Sequence, residues 1–287
     1  MEYIKKKILV YGRMIKFSHT IFALPFAMSA VVMAWENYLF SFSAFFWILT
    51  AMVGARSAAM GFNRIVDADI DLKNKRTAIR EIPSGLLSKK ESFAFVILSS
   101  LVFIVSAAML SRLCLLLSFP ALFFLLFYSY TKRFTKYCHL YLGFAISLAP
   151  VGAWIAITGT LSWSIVFLSL SLMTYIAGFD ILYSCQDIDF DQKQGLFSLP
   201  SKIGLKKAMF ISSLLHGCTI VFLLAMYATF GMHPVFLVFL SIIGALLVAE
   251  HKLVKPDDLQ HINIVFFHMN SAISIFLFIG VVTQGIF

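Results

Sequence analysis

Nine long apolar runs restrict the fold of this sequence more than any other feature does. A helix needs roughly 20 mostly apolar residues to cross a lipid bilayer, and each run is close to that length. The runs are 17–35, 42–65, 93–110, 113–130, 140–158, 162–182, 208–230, 234–249 and 264–285. We therefore predict an all-α fold, a polytopic membrane bundle of nine transmembrane helices.

The composition excludes a water-soluble domain. Hydrophobic residues make up 60% of the chain and charged residues 13%, whereas soluble domains carry about 25% charged residues. The net charge of +9 would otherwise suggest a nucleic-acid partner. However, the basic residues lie in short loops between apolar runs and do not form one polar face. We therefore expect contact with a lipid bilayer and no nucleic acid.

Basic residues also predict the orientation in the membrane. Most of the 23 Lys and Arg lie in alternate loops, on the side of the N-terminus, whereas the opposite loops contain only Arg112. Cytoplasmic loops of membrane proteins are enriched in Lys and Arg. We predict a multi-pass protein of the inner (cytoplasmic) membrane of a bacterium, with the N-terminus in the cytoplasm and the C-terminus outside.

Half of the 14 acidic residues occupy two short stretches. They are Asp67, Asp69 and Asp71, which recur 120 positions later as Asp187, Asp189 and Asp191, preceded by Asp180. Such self-similarity indicates an internal duplication. We predict one domain over residues 1–287, built from two four-helix pseudo-repeats, about 15–135 and 136–255, plus a ninth helix.

Helical spacing brings several polar side chains of each stretch onto one face. On a continuous helix, the sets that share a face are Asn63, Asp67 and Asp71 in the first stretch and Asp180, Tyr183, Asp187 and Asp191 in the second. Asp69 and Asp189 point away from these faces, and we interpret them as supporting or solvated residues.

The two carboxylate-bearing faces form the predicted cofactor site. Crowded carboxylates raise each other's pKa unless cations lie between them. Oxygen ligands with room for water and phosphate groups are typical of Mg²⁺, and the basic residues nearby suit a diphosphate. We predict a magnesium site at the cytoplasmic ends of the second and sixth spans. Its ligands are Asn63, Asp67, Asp71, Asp187 and Asp191.

Other ionisable residues are interpreted one by one. Arg56 and Arg64 fall within the second span, where a charge normally has a partner and a task. Arg64 lies near the end of the span, where it either reaches the interface or serves a function. Arg56 lies more than two turns deeper, and we interpret it as functional. His139 and His251 lie at interfaces and are assigned no chemical role.

The acidic stretches resemble the motifs of the UbiA family of intramembrane prenyltransferases. Residues 63–71 (NRIVDADID) are similar to the family's NxxxDxxxD motif. Residues 187–191 (DIDFD), with Asp180 and Tyr183 upstream, are similar to its second motif. The resemblance extends over nearly the whole chain, and residues 178–187 look most like the bacterial 4-hydroxybenzoate polyprenyltransferase branch.

The resemblance implies a fold and a reaction. The fold is nine helices around a central cavity. The reaction is Mg²⁺-dependent transfer of a polyprenyl group from polyprenyl diphosphate to a small aromatic carboxylic acid, such as 4-hydroxybenzoate in ubiquinone biosynthesis. No obligate protein partner is expected.

The resemblance also implies roles for individual residues. Asp180 and Tyr183 lie near the reacting carbon, and Asp67 and Asp191 are counted with them as catalytic. Arg56 occupies the position that binds the carboxylate of the acceptor. The residues that bind the diphosphate are Arg76, Arg80, Lys132 and Lys193.

Three alternatives remain open. The same motifs fit prenylation of a dihydroxynaphthoate in the futalosine-type menaquinone route, because both acceptors are phenolic carboxylic acids. Prenylation of haem or chlorophyll type would use an acceptor without a small aromatic carboxylate. A secondary transporter is more distant, since its acids would lie near the middle of the membrane between inverted repeats.

Overall fold

Regular structure is helical throughout the part of the chain that the computed structural model describes, residues 2–256, 258–259, 262 and 265–284. In chain order the α-helices are α1 (Glu2–Met14), α2 (Leu24–Trp35), α3 (Phe42–Asp71), α4 (Lys89–Leu110), α5 (Arg112–Thr131), α6 (Cys138–Thr158), α7 (Trp163–Ser184), α8 (Ile188–Lys193), α9 (Leu199–Ile203), α10 (Leu205–Phe230), α11 (Val235–Leu253) and α12 (Asn270–Gln284). Two 3-10 helices, Phe17–Phe22 and Cys185–Asp187, and a π-helical turn, Val265–Met269, connect some of them. The predicted all-α class is confirmed.

Eight helices in the described part of the chain are long and apolar enough to cross a membrane. They are α3, α4, α5, α6, the segment Trp163–Lys193, α10, α11 and Phe266–Gln284. A bent pair, Lys7–Phe22 with Leu24–Trp35, makes a ninth span if its two parts cross together. The spans overlap all nine predicted runs, although the end residues of the last run, 264 and 285, lie outside the described residues.

The first predicted run, 17–35, is bent rather than straight. Its two parts meet at an angle of 51°. Pro25 lies in the first turn of α2, where a residue without an N–H group is tolerated. In the interior of a helix, proline would remove one main-chain hydrogen bond. The position of Pro25 therefore favours the start of a new helix at this point.

The chain divides into two compact units, and the first contains Met1–Thr20 and Phe42–Tyr130. Its longest helix, α3, has 30 residues and is about 45 Å long, longer than the roughly 30 Å hydrocarbon core of a bilayer. α3 packs along α4. The helices are close at Gly54, where a Cβ atom would lie 2.8 Å from the main-chain nitrogen of Phe103. α4 begins with a capping box between Ser88 and Glu91.

The second unit contains Ile21–Ser41 and Thr131–Phe287 and is arranged around α7. α7 packs against α6 and α10, and most of its residues are buried. Hydroxyl groups bond across these contacts: Ser169 donates to the carbonyl of Ser147 at 2.7 Å and Ser212 to the carbonyl of Gly178 at 2.7 Å. Small and hydroxylated residues commonly join membrane helices in this way.

The two units are not continuous pieces of the sequence. The segment Ile21–Ser41, which contains α2, belongs to the second unit, in which α2 packs against α6 and α12. The stretches on either side of it, Met1–Thr20 and Phe42–Tyr130, belong to the first. The chain changes unit after Tyr130. The pseudo-repeats 15–135 and 136–255 remain a prediction.

Candidate active site in two acidic motifs

The first motif, residues 63–71, occupies the C-terminal end of α3. Asn63 Nδ2 donates a hydrogen bond to Asp67 Oδ2 at 2.9 Å, the contact that a spacing of four residues gives on a helix. α3 continues as far as Asp71, as the one-face interpretation requires. Asp69 is exposed and pairs with Lys89, whose Nζ lies 2.8 Å from Oδ1. Its exposure agrees with the supporting or solvated role predicted for it.

Asp71 is buried and paired with a cation from the following loop. Arg80 Nη1 lies 2.7 Å from each carboxylate oxygen of Asp71. The hydroxyl of Thr77 donates to the main-chain carbonyl of Asp71 at 3.0 Å, which holds the loop against the end of α3. Hydrogen bonds between ionised partners are among the strongest in proteins. Arg80, predicted to bind diphosphate, therefore lies directly beside a predicted metal ligand.

The second motif, residues 180–191, is not one continuous helix, and the prediction of an uninterrupted face is wrong here. α7 ends at Ser184, a 3-10 turn covers Cys185–Asp187, and α8 begins at Ile188. The side chains of Ser184 and Cys185 both bond back to the carbonyl of Ile181, at 2.8 and 3.3 Å. Such local bonds compete with regular helix geometry.

Burial within the second motif nevertheless follows the predicted division. Asp187 and Asp191 are buried and Asp180 and Tyr183 are half-buried, whereas Asp189 is exposed. Two acids therefore point inward and one outward despite the break. The exposure of Asp189 matches that of Asp69 in the first motif.

Asp191 is fully buried and has a cation on one side only. Lys132 Nζ lies 2.8 Å from Oδ1, and Oδ2 has no hydrogen-bond partner among the described residues. Burial alone would lower the pKa of Lys132, but the neighbouring carboxylate outweighs it and raises the pKa, so the ammonium group stays charged. Main-chain hydrogen bonds also tie both members of the ion pair to the segment after α8. Phe197 N–H donates to the carbonyl of Lys132 and Leu196 N–H donates to the carbonyl of Asp191, each at 2.8 Å.

Asp180 is paired with a histidine to which the sequence analysis assigned no role. His139 Nδ1 lies 2.6 Å from Asp180 Oδ2, and Nε2 accepts a hydrogen bond from Leu199 N–H at 3.2 Å. The sequence suggested no chemical partner for His139, whereas the structure buries its side chain against Asp180. The only signal in the sequence is its position near the start of a predicted span, directly after a basic loop.

The two arginines within α3 both contact the segment before the bend. Arg56 donates from Nη2 to the carbonyl of Lys16 at 3.1 Å, and its Nε is buried without a hydrogen-bond partner among the described residues. Arg64 is 4% exposed and donates from Nε to the carbonyl of Met14 at 3.1 Å. Arg64 therefore does not reach the interface, and its bond to the end of α1 is structural.

The remaining predicted residues lie at the edges of the two motifs. Tyr183 is half-buried, with its ring centroid 4.2 Å from that of Phe266. Arg76 is half-buried in the loop after α3, and Lys193 is exposed at the end of α8. The structure thus brings Arg80 and Lys132 to motif carboxylates, whereas Lys193 has no ion pair with a motif carboxylate among the described residues.

The carboxylates fit a metal that is bound together with phosphate. Among the described residues, no group of three or more His, Cys, Asp and Glu side chains lies close enough to hold an ion without other ligands. Mg²⁺ commonly binds through one or two carboxylates plus water and substrate phosphates. A buried carboxylate with an unsatisfied oxygen, such as that of Asp191, fits this mode.

Comparison with known sequences identifies the family. A model described as the UbiA prenyltransferase family matches residues 23–272. The 4-hydroxybenzoate octaprenyltransferase of Vibrio atlanticus is 30% identical over 214 residues, 73% of this chain and 74% of that protein. The 4-hydroxybenzoate octaprenyltransferase of Methylobacillus flagellatus is 26% identical over 242 residues, 84% of this chain and 81% of that protein.

Solved structures share the fold. The apo structure of a UbiA homologue from Aeropyrum pernix K1 has a TM-score of 0.83 at 30% identity, over 92% of this chain and 97% of the homologue. A UbiA homologue from Archaeoglobus fulgidus, bound to GPP and Mg²⁺, has a TM-score of 0.68 at 18% identity, over 95% of this chain and 99% of the homologue. The family match and these similarities show that the chain belongs to the UbiA prenyltransferase family and is a membrane prenyltransferase.

Proposed function

We propose that this prenyltransferase moves a polyprenyl group from polyprenyl diphosphate to a small aromatic acid such as 4-hydroxybenzoate, and that the reaction requires Mg²⁺. The observation that carries the proposal is the arrangement found in each motif, a buried aspartate (Asp71 or Asp191) paired with a basic side chain. The similarity to bacterial 4-hydroxybenzoate octaprenyltransferases supports the acceptor class, and the ligands of the Archaeoglobus homologue support the donor and the metal.

The proposed reaction exchanges a C–O bond for a C–C bond. The allylic C–O bond of the prenyl diphosphate breaks, and its electron pair leaves with the diphosphate. A ring carbon of the acceptor, ortho to the hydroxyl group, forms a bond to the prenyl carbon and then loses its proton. When bound, Mg²⁺ neutralises charge on the leaving diphosphate. The residues that would hold it are Asn63, Asp67, Asp71, Asp187 and Asp191.

The basic residues of both motifs would bind the diphosphate oxygens. Arg80 and Lys132 each lie beside a motif carboxylate, so each motif has a charged donor for phosphate oxygens. Guanidinium and ammonium groups form short, strong hydrogen bonds to phosphate oxygens. Arg76 and Lys193 would assist from the adjoining loop and helix end.

Asp180 and Tyr183 would stabilise the positive charge that develops on the allylic carbon. A carboxylate attracts the developing cation, and an aromatic ring attracts it through its electron-rich face. Both side chains are half-buried in the second motif, so water has limited access to them. We propose that the reacting end of the prenyl chain binds beside these two side chains.

Arg56 would bind the carboxylate of the acceptor. Its buried Nε has no hydrogen-bond partner among the described residues, and such a donor costs free energy unless a ligand satisfies it. Arg56 precedes Asn63 by seven residues, two helical turns. An aromatic acid held there would interact with the same helix that carries the first motif.

A test uses the full chain in lipid nanodiscs, with geranyl diphosphate, Mg²⁺ and a panel of acceptors, and detects prenylated products by mass spectrometry. The panel contains 4-hydroxybenzoate, a dihydroxynaphthoate and a phenol without a carboxylate. We expect prenylated 4-hydroxybenzoate, loss of activity with EDTA and recovery with Mg²⁺. A preference for the naphthoate would assign the chain to the menaquinone branch, and turnover of the phenol alone would contradict the acceptor class.

We further propose that both motifs lie on the cytoplasmic side of a bacterial inner membrane, because the basic loops next to them favour that side. Cysteine substitutions at the exposed positions, Asp69→Cys and Asp189→Cys, can be labelled with a membrane-impermeant maleimide. We expect labelling in inverted membrane vesicles and none in intact spheroplasts. The opposite pattern would reverse the orientation without affecting the reaction.

A further inference from the structure

His139 occupies a position from which one side chain connects three segments of the second unit. It lies near the start of α6 and is 4% exposed. Its Nδ1 contacts Asp180 in α7 at 2.6 Å, and its Nε2 contacts the main-chain nitrogen of Leu199, the first residue of α9, at 3.2 Å. Both ring nitrogens therefore have partners inside the protein.

The partner of Nε2 determines where the ring proton lies. A main-chain N–H group can only donate, so Nε2 must be the unprotonated, accepting nitrogen. In the neutral ring the proton is then on Nδ1, and it points at Asp180 Oδ2. Protonation of both nitrogens would place two donors against each other at Leu199. The arrangement therefore favours an imidazole that carries a proton on Nδ1 and donates it in a hydrogen bond to the Asp180 carboxylate.

The segment that carries Leu199 is itself tied to the second motif. Leu196 N–H donates to the main-chain carbonyl of Asp191 and Phe197 N–H to that of Lys132, each at 2.8 Å. The thiol of Cys138, the neighbour of His139, contacts the carbonyl of Phe197 at 3.4 Å. The segment 196–199 thus connects the Lys132–Asp191 ion pair to the imidazole through short bonds.

From this geometry we infer that His139 is a positioning residue, which fixes the orientation of the Asp180 carboxylate and ties it to the segment 196–199. The inference rests on the proposed function of Asp180 at the allylic carbon. The Asp180 side chain is 21% exposed, so without the imidazole its carboxylate could rotate away from the direction in which the cation develops. A side chain that orients a carboxylate in this way acts on turnover rather than on substrate affinity.

Two amide substitutions separate the two hydrogen bonds of the ring. In His139→Asn the terminal amide lies near the position of Nδ1, so it can still donate to Asp180 but no longer reaches Leu199. In His139→Gln the terminal amide reaches the position of Nε2, so its oxygen can accept from Leu199 N–H but the donor to Asp180 is lost. The pair thus serves as variant and matched control at one site.

We expect kcat to fall about 10- to 100-fold in His139→Gln, the range for loss of a residue that orients a functional group. In His139→Asn the loss should be no more than about threefold, because the donor to Asp180 is kept. The KM values for geranyl diphosphate and 4-hydroxybenzoate should change little in either variant. Thermal unfolding in the same nanodiscs measures the structural effect separately.

Equal losses of kcat in the two variants, or an unchanged kcat in His139→Gln, would overturn the inference and leave His139 as a structural contact. Asp180→Ala distinguishes this failure from failure of the proposed function. If Asp180→Ala is inactive while His139→Gln is fully active, only the role of His139 is wrong. If Asp180→Ala retains wild-type kcat, the proposed role of Asp180 is itself wrong, and the inference falls with it.

Discussion

The first and second motifs carry equivalent acids but obtain their cations differently. Asp71, the last residue of α3, is paired with Arg80, which is nine residues later in the loop that follows the helix. Asp191 is paired with Lys132, which is 59 residues earlier in the sequence, just after α5. The repeat of 120 positions does not extend to these cations, because the positions that correspond to Arg80 and Lys132 hold Pro200 and Gly12.

The difference separates a local arrangement from a tertiary one. The first motif lies on an unbroken helix, and its ion pair forms within one loop. The second motif lies across a break between α7 and α8, and its ion pair joins Asp191 in α8 to a residue 59 positions earlier in the chain. The carboxylates thus follow the spacing of 120 residues, whereas their basic partners do not.

The largest expected effect tests whether the two buried acids are equivalent. Asp71→Asn and Asp191→Asn should each lower prenyl transfer about 100- to 1,000-fold, since each removes a charge proposed to act at the diphosphate. Asp69→Asn and Asp189→Asn are matched controls at exposed positions and should retain most of the activity. Initial rates with geranyl diphosphate measure the effect. Loss of activity in only one of the two variants, Asp71→Asn or Asp191→Asn, would show that the two motifs differ in function.

A second prediction separates Arg56, proposed to bind the acceptor, from the motif residues proposed to act at the diphosphate. Arg56→Ala in α3 should raise KM for 4-hydroxybenzoate about 10- to 100-fold, because a charge-assisted bond to the carboxylate is lost. KM for geranyl diphosphate should stay within about twofold. Arg56→Lys is the charge-retaining comparison and should recover part of the affinity. An equal rise in both KM values would contradict the assignment of the acceptor to α3.

A third prediction concerns stability. Lys132→Met should destabilise the protein by about 2 kcal/mol, because a fully buried carboxylate loses its cation; the value is below that for wholly buried pairs because Lys132 is partly solvent-exposed. Arg80→Met should cost about 1 kcal/mol, less than Lys132→Met because the Asp71 side chain is 7% exposed whereas that of Asp191 is fully buried. Thermal unfolding of the two variants in the same detergent shows which substitution destabilises the protein more. A larger loss in Arg80→Met would mean that the local pair contributes more than the tertiary one.

The smallest expected effect tests how far the first motif depends on the helix that follows it. Ser88→Ala removes the side-chain cap of α4 and should cost about 1 kcal/mol. KM for geranyl diphosphate should rise by no more than about twofold, because the contact between Arg80 and Asp71 does not use the cap. A tenfold loss of kcat would show that the whole segment 72–88 acts as part of the active site.

Much of the fold follows from the length of the apolar runs. Each predicted run overlaps a helix, and the spacing of Asn63 and Asp67 gave the correct contact because α3 is regular there. The same reasoning failed at Ser184, where hydroxyl and thiol groups bond to the preceding turn. Helical periodicity alone does not distinguish a continuous helix from one broken by a single 3-10 turn.

Side-chain pairs between residues that are far apart in the sequence could not be predicted. Nothing local indicates that Lys132 meets Asp191 or that His139 meets Asp180, because the partners are 59 and 41 residues apart in the sequence. An isolated histidine at the end of an apolar run resembles an interfacial residue. The carboxylates of the candidate site were therefore predictable, while the groups that orient them were not.

The position of α2 has a consequence for biosynthesis. This helix is made early, but its neighbours α6 and α12 are made after more than a hundred further residues, and a buried bond from Ser274 to the carbonyl of Phe22 can form only after residue 274 has been made. Chains emerge from the ribosome N-terminus first. We therefore expect α2 to stay in the lipid without these neighbours until α6 and α12 have been made and can pack against it.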